Sequence, residues 1–302
     1  MTGARILITG AGGFVAGHVA AGLSSLGYRV IAVDRAFDAD AQHRLAGCEM
    51  ILADLAQDGA ALPPADVMLH GAALTTAPEA LGLTAAEHVR ANTQPLLALL
   101  CHAAACRARA FVFLSSSGIF AQGDGVPDLT DTTPPTAQGP YSAAKRAGEE
   151  LVAGALGDVC EIFCLRLGYI YGPGERVRAS RARVSLVQGW LETARAGGVL
   201  DTHAADPRRD WTWAPDLAPA IARLLGTPGR VRPIHLCAPD APRDSAVAGA
   251  ILRHFPAATT RRVAGPAVKG PMVPSALTAL AGFEWTTLAD GIAQLARAEV
   301  AA

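Results

Sequence analysis

The chain has 302 residues, 51% of them hydrophobic and 18% charged, with a formal net charge of −1 at pH 7. That length suits one large α/β domain or two lobes around a sizeable core, and the near-zero charge excludes a general attraction to nucleic acid or anionic membrane. The sequence shows no run of about 18 uncharged apolar residues that would span a membrane and no secretory pattern at its start, and its six cysteines lack C-x-x-C spacing, so we expect a cytoplasmic protein with free thiols and no metal.

The first predicted strand, Arg5–Thr9, stops at Gly10-Ala11-Gly12-Gly13, and a helix follows over Phe14–Leu26. Strand, glycine turn and helix together make a phosphate site, because the backbone can approach closely and the helix N-terminus presents free N–H groups. The commonest dinucleotide fingerprint, G-x-G-x-x-G, fails at Val15; a G-x-x-G-x-x-small reading fits Gly10, Gly13 and Ala16. Further apolar strands are predicted at 28–33, 50–52, 67–70, 110–114 and 161–165, with long helices at 84–105 (despite Pro95) and 141–155. Strands this apolar, alternating with helices, predict an α/β fold with a doubly wound parallel sheet, Rossmann-like and covered on both faces. In such sheets ligands bind off the carboxyl ends of the strands, where Asp34, Asp54, His70 and Ser116 all fall. After about residue 168 prolines and arginines recur and the pattern degrades. We read residues 1–167 as the dinucleotide-binding core and 168–302 as a smaller, mixed substrate lobe, with 216–237 returning to the core and helices near 185–195, 244–254 and 287–298.

Asp34 closes the second strand about 20 residues after the glycine turn, where a carboxylate accepts ribose hydroxyls and repels a 2′-phosphate. NAD is therefore expected over NADP, with the adjacent Arg35 moderating the preference, and Asp54 can bond the adenine amine. Tyr141 and Lys145 lie four apart on a predicted helix and share a face. An ammonium beside a phenol lowers its pKa, so that tyrosine can exchange a proton with a substrate hydroxyl while hydride moves to or from the cofactor. His235 is expected to be a core residue, and Trp211 and Trp213 to pack the junction between lobes.

With these residues in place, the chain resembles the extended short-chain dehydrogenase/reductases, the NAD-dependent epimerase/dehydratase family, over nearly its whole length. Thr9-Gly10-Ala11-Gly12-Gly13-Phe14-Val15-Ala16 resembles T-G-x-x-G-F-x-G, His70-Gly71-Ala72-Ala73 resembles H-x-A-A, and Pro140–Lys145 matches the catalytic helix. Leu114–Phe120 resembles the segment that carries the catalytic hydroxyl, here Ser116. Arg166 with Tyr171-Gly172-Pro173-Gly174, Arg209–Trp213 with Asp216, and Gly282-Phe283 complete the likeness. The resemblance implies catalytic roles for Ser116, Tyr141 and Lys145, with Asn92 anchoring a proton-relay water. It implies cofactor contacts at Gly10, Gly12, Gly13, Phe14, Val15, Asp34, Arg35, Asp54, Leu55, His70, Ala72, Ala73, Tyr141 and Lys145. Substrate contacts are expected at Thr75, Ser117, Tyr169 and Arg209.

Departures from the family narrow the chemistry. Its dehydratases carry an Asp-Glu pair after the catalytic hydroxyl, where this chain has Ser117 and Gly118, so elimination of water is not expected. Its nucleotide-sugar epimerases carry asparagine at Tyr169 and a late R-P-G-D, to which Arg261-Arg262-Val263 is the nearest basic stretch. Arg176, Arg178, Arg181 and Arg183 crowd the loop after Gly174, which we expect to lead into the substrate lobe. Arginine suits bidentate contact with carboxylate or phosphate, so Arg176, Arg178 and Arg183 are candidate contacts to an anionic, carbohydrate-like small substrate. The expectation is an NAD-dependent oxidoreductase, with a sugar epimerase and a non-catalytic NAD sensor as alternatives. The resemblance also implies a homodimer through the helices that carry Asn92 and Tyr141.

Overall fold

The computed structural model describes residues 3–57 and 61–298. In chain order the elements are β1 (Arg5–Thr9), α1 (Phe14–Ser25), β2 (Arg29–Asp34), α2 (Ala39–Arg44), β3 (Glu49–Leu52), β4 (Val67–His70), α3 (Ala85–Ala105), β5 (Ala110–Ser116), α4 (Pro140–Leu156) and β6 (Glu161–Leu167). The chain continues with β7 (Tyr169–Tyr171), α5 (Leu186–Arg195), β8 (Val199–His203), β9 (Trp211–Trp213), α6 (Leu217–Leu224), β10 (Arg230–Leu236), α7 (Asp244–Leu252), β11 (Thr259–Val263) and α8 (Leu288–Ala298). Seven strands make one parallel sheet in the order β10-β6-β5-β4-β1-β2-β3.

The apolar strands form this sheet because alternate residues must be buried on both of its faces. Ile6, Ile8, Val112, Leu114 and Phe163 face a cluster completed by Val19 and Leu23 of α1 and Leu217 and Ile221 of α6. Their sequence neighbours Leu7, Phe111, Phe113 and Ile162 face the opposite cluster, with Leu96, Leu99 and Leu100 of α3 and Val152 and Leu156 of α4. The long helix α3 runs through Pro95, and its start is fixed by a capping box in which Thr84 and Glu87 exchange hydrogen bonds.

Register sets the functional row. Thr9 lies opposite Val33 and His70, and Ser116 opposite Leu167. The carboxyl ends of β1, β2, β4, β5 and β6 therefore open onto one edge. The segment 217–236 adds α6, which packs on α1, and β10, which extends the sheet beyond β6. The remaining C-terminal elements build a separate apolar cluster from Tyr171, Val187, Trp190, Trp211, Trp213, Val247 and Ile292.

Two parallel strand pairs, β7 with β9 and β8 with β11, and the short α2 were not anticipated. Strands of three residues carry too little periodicity to be read from sequence. Arg261 of β11 forms an exposed bidentate pair with Asp201 of β8, so this basic stretch stabilises a strand pair in the lobe. Among the described residues no helix is long and apolar enough to cross a membrane.

Candidate active site

The glycine turn is shaped by steric demands. Gly10 has φ +74°, a left-handed conformation that favours glycine. A Cβ there would lie 2.4 Å from Ala72 N, where the chain leaves β4, and one on Gly12 would lie 2.4 Å from the Ala36 carbonyl. Gly13 caps α1 with backbone alone and no side-chain hydrogen bond. Among the described residues no side chain caps the first N–H groups of the helix, and the turn fits an anionic pyrophosphate.

Asp34 ends β2 and accepts hydrogen bonds from Gly12 N at 3.0 Å and Ala36 N at 3.3 Å. Burial raises its pKa, while these bonds and Arg35 oppose the rise. Asp54, past β3, accepts from Ala56 N at 2.9 Å, and Leu55 beside it is buried. His70 shares a 2.9 Å hydrogen bond with Thr9 Oγ1 and stacks on Phe113; burial, helped by the Lys145 charge, lowers its pKa to about 3 and keeps it neutral. Val15 follows Phe14 in the first turn of α1, and Ala73 follows Ala72 in the chain leaving β4.

Ser116, Tyr141 and Lys145 converge at the end of β5. The Ser116 hydroxyl accepts from Gly118 N at 3.0 Å, and a Cβ on Gly118 would lie 3.2 Å from both Ser116 Oγ and the Tyr141 ring. Glycine at 118 lets the serine and the tyrosine approach without crowding. Lys145 is buried below, its Nζ donating to the Leu114 carbonyl at 2.7 Å and lying 5.9 Å from the Tyr141 ring centroid. Burial lowers its pKa to about 8, against the opposing charge of Glu149. Glu149 is one helical turn beyond Lys145; it forms a bidentate pair with Arg166 at 2.9 and 2.7 Å and accepts from Ser115 at 2.6 Å.

Tyr141 is set in a desolvated position beside Ser116. Burial pushes the phenol up, and the opposing effects come from the Ser116 hydroxyl and the Arg181 charge. Asn92 braces the loop that follows β4. Its amide holds both Leu74 N (2.9 Å) and Leu74 O (3.2 Å) and donates to His88 O, fixing the loop after β4.

The arginine segment leads into the lobe at α5, whose N-cap is Ser185, but its Arg176 and Arg178 are turned to the glycine turn and α2 first. It doubles back as a strap over the cleft. Arg178 donates to the Gly12 carbonyl and pairs with Asp38 at 2.8 Å, Arg176 pairs with Asp40, and Arg44 donates to Gly13 O at 3.2 Å. On the opposite side Thr75 N and Oγ1 donate to Ser180 O at 2.8 and 3.0 Å, and Thr76 Oγ1 donates to Ala179 O at 2.8 Å. Arg181 pairs with the buried Glu175 and covers the Phe14 ring, while Arg183 is exposed. Asp38, the N-cap of α2, and Asp40 in its first turn redirect Arg178 and Arg176, a long-range pairing that spacing along the chain does not reveal.

A second cluster faces Ser116 from the C-terminal half. Tyr169 of β7 receives a hydrogen bond on its hydroxyl from Arg209 Nη1 at 3.2 Å. Arg209 is held by Asp244 through a bidentate pair at 2.7 and 3.0 Å. Lys269 reaches in from an irregular segment and donates to the Ser117 carbonyl and, at 3.0 Å, to Ser117 Oγ. Sequence reasoning missed Lys269, Asp210 and Glu149. A signal for Lys269 existed: of the 26 lysines and arginines, only Lys145 and Lys269 are lysines. Glu149 extends the Tyr141–Lys145 spacing by one further turn on the same face.

The sequence matches the family described as NAD dependent epimerase/dehydratase over residues 6–236, and no curated protein matches the chain. Among solved structures it is similar to UDP-glucose 4-epimerase from Thermotoga maritima (TM-score 0.82, 18% identity, 98% of this chain and 99% of that one). It is similar to UDP-N-acetylglucosamine 4-epimerase from Methanobrevibacter ruminantium M1 (0.79, 16%, 98% and 99%). A third is the dTDP-glucose 4,6-dehydratase DesIV from Streptomyces venezuelae (0.78, 21%, 97% and 96%). At these identities the likeness shows a shared fold. The family match spans most of the chain and includes the glycine turn and the Ser116–Tyr141–Lys145 centre, and the protein belongs to the NAD-dependent epimerase/dehydratase family of enzymes.

Proposed function

We propose that this protein is an NAD-dependent oxidoreductase acting at a hydroxyl-bearing carbon of a small, acidic, carbohydrate-like substrate. The observation that carries the reading is the Ser116–Tyr141 pair beside buried Lys145, with Ser117 and Gly118 where an eliminating enzyme of the family carries its acid–base pair. Bound NAD supplies a hydride acceptor at its nicotinamide. Gly10, Gly12, Gly13 and the α1 N-terminus would hold its pyrophosphate, with Asp34 at the adenosine ribose. The Asp34 carboxylate supports NAD over NADP by repelling a 2′-phosphate.

In this reading Ser116 orients the reacting oxygen and Tyr141 removes its proton as the carbon is oxidised. Lys145 keeps a positive charge beneath the site, supported by Glu149. Arg176 and Arg178 are taken up by Asp38, Asp40 and the glycine turn, so substrate contact falls to Ser117, Tyr169 and Arg209. A homodimer through α3 and α4 belongs to the same proposal; Leu97 on α3 remains 44% exposed while Leu96, Leu99 and Leu100 are buried.

The test is a panel of sugars, aldonates, uronates and nucleotide sugars with NAD and with NADP, following the absorbance of reduced cofactor. Net reduction with an acid, lost in Tyr141→Phe, is the expected result. Conversion of a nucleotide sugar without net reduction would replace the reading with epimerisation, the activity named for several structures of this fold.

A further inference from the structure

Lysine is rare here, and its placement is selective. Wherever else a cation is needed the chain uses arginine, and both lysines lie at the catalytic centre. An ammonium is compact and carries three donors on one nitrogen, which a planar guanidinium does not reproduce. Lys145 has its place beneath Tyr141. Lys269 has none in the proposed hydride transfer.

Lys269 Nζ donates to the carbonyl and hydroxyl of Ser117, one residue from Ser116, and lies 5.7 Å from the Tyr169 ring centroid. Its third donor has no acceptor among the described residues. Asp210 lies close enough to act on Lys269 by charge, and burial lowers the lysine pKa while raising that of Asp210. The Asp210 side chain is buried, with 1% exposure; its own backbone N–H and that of Met272 are near enough to favour the carboxylate, yet among the described residues neither oxygen has a partner in full hydrogen-bonding geometry. Its carboxylate lies against Gly168, where a Cβ would be 1.7 Å from Oδ2. Gly168 follows Leu167, the register partner of Ser116, so the orphaned carboxylate sits at the strand ends beside the reacting centre. A half-buried ammonium with a free donor and a buried carboxylate without a well-formed hydrogen bond are costly unless a ligand completes them.

We propose that Lys269, anchored by Ser117, forms a carboxylate subsite for the substrate, with Asp210 accepting a hydroxyl of the same molecule. The pairing selects polyhydroxy acids over the corresponding neutral polyols and sugars. It deepens the oxidoreductase reading and rests on it for the identity of the reacting carbon. Arg209 contributes less to the anion, because Asp244 and Tyr169 already engage its guanidinium.

The test uses the holoenzyme loaded with NADH, titrated by calorimetry with matched pairs: glycerate and glycerol, gluconate and glucitol, glucuronate and glucose. At least one acid should bind at least about tenfold more tightly than its neutral partner, the equivalent of one charge-assisted contact. Lys269→Met and Lys269→Gln should reduce that ratio to near one, and Lys269→Arg should keep part of it. Asp210→Asn should leave the ratio at or above the wild-type value while weakening the neutral partners, because it removes a like charge from the carboxylate. With isotope-labelled lysine the wild-type holoenzyme has two side-chain signals, and gluconate should shift the one that Lys269→Gln removes, which covers a methionine variant that does not fold. An acid preference unchanged in Lys269→Gln, or absent from all pairs in the wild type, overturns the subsite. Lys269-dependent acid binding without NAD reduction by any acid would leave the subsite standing and refute the oxidoreductase reading. Turnover of neutral sugars without acid preference would do the reverse.

Discussion

The two halves of the cleft are built by different means. On the sheet side, Gly10, Asp34, Ser116, Tyr141 and Lys145 sit at the ends of neighbouring parallel strands or on the helix that follows. Strand register and the α4 spacing bring them into line, and backbone groups of neighbouring strand ends hold Asp34 and Lys145. On the lobe side, Tyr169, Arg209, Asp210 and Lys269 come from short strands and irregular chain, held by charge pairs and by one another. The sheet side is a consequence of the fold and suits a constant cofactor. The lobe side depends on individual side chains, so it is where specificity can change without cost to the core.

The sharpest way to break this contrast is Tyr141→Phe. Loss of acid–base catalysis should lower turnover by about 10²–10⁴-fold, with NADH affinity measured by fluorescence unchanged. An enzyme that keeps its rate would remove the sheet side from the chemistry.

Glu149→Leu tests whether that side is also a stability element. It strands Arg166 without its buried partner and should reduce unfolding stability by about 3–5 kcal/mol in urea melts. The milder Glu149→Gln carries a pH prediction. Lys145 loses its proton near pH 8, and the Glu149 charge raises that value. Activity should therefore fall above about pH 8, and removal of the negative charge should move this alkaline fall to lower pH.

Asp34→Ala should weaken NAD by about 1.5–3 kcal/mol through loss of charge-assisted hydrogen bonds and raise the relative use of NADP, read from the ratio of kcat/KM values. The smallest effect is expected at Arg176→Ala. Its partner Asp40 is half-exposed, so the pair should contribute only about 0.2–1 kcal/mol to thermal stability. A larger loss would mean that the strap carries more of the fold than its exposure implies.

The central strands β1, β2, β4, β5 and β6 were legible because each holds an apolar run bounded by turn residues. Ser116, Tyr141 and Lys145 were legible because they lie within short, local patterns. The course of residues 175–185 was not, since Arg176 and Arg178 are placed by Asp38 and Asp40, far away in sequence. Lys269 was passed over because no periodicity surrounds it; rarity of lysine was the only mark it carried. The burial of the Tyr141 phenol, which raises its pKa, was likewise not legible, because it depends on the segments packed over α4 and not on its local spacing.

The strap has a kinetic consequence. It is tied to the glycine turn at one margin and to Thr75 and Thr76 at the other, across the route to the α1 N-terminus. If a dinucleotide passes beneath this strap, its entry and exit should require one of these ties to let go. A catalyst that discharges reduced cofactor after every cycle must open the latch every time, whereas one that hands the hydride back can leave it shut. The rate of cofactor exchange, measured against turnover and against a Thr76→Val variant that loses the tie to Ala179, would show which regime this latch serves.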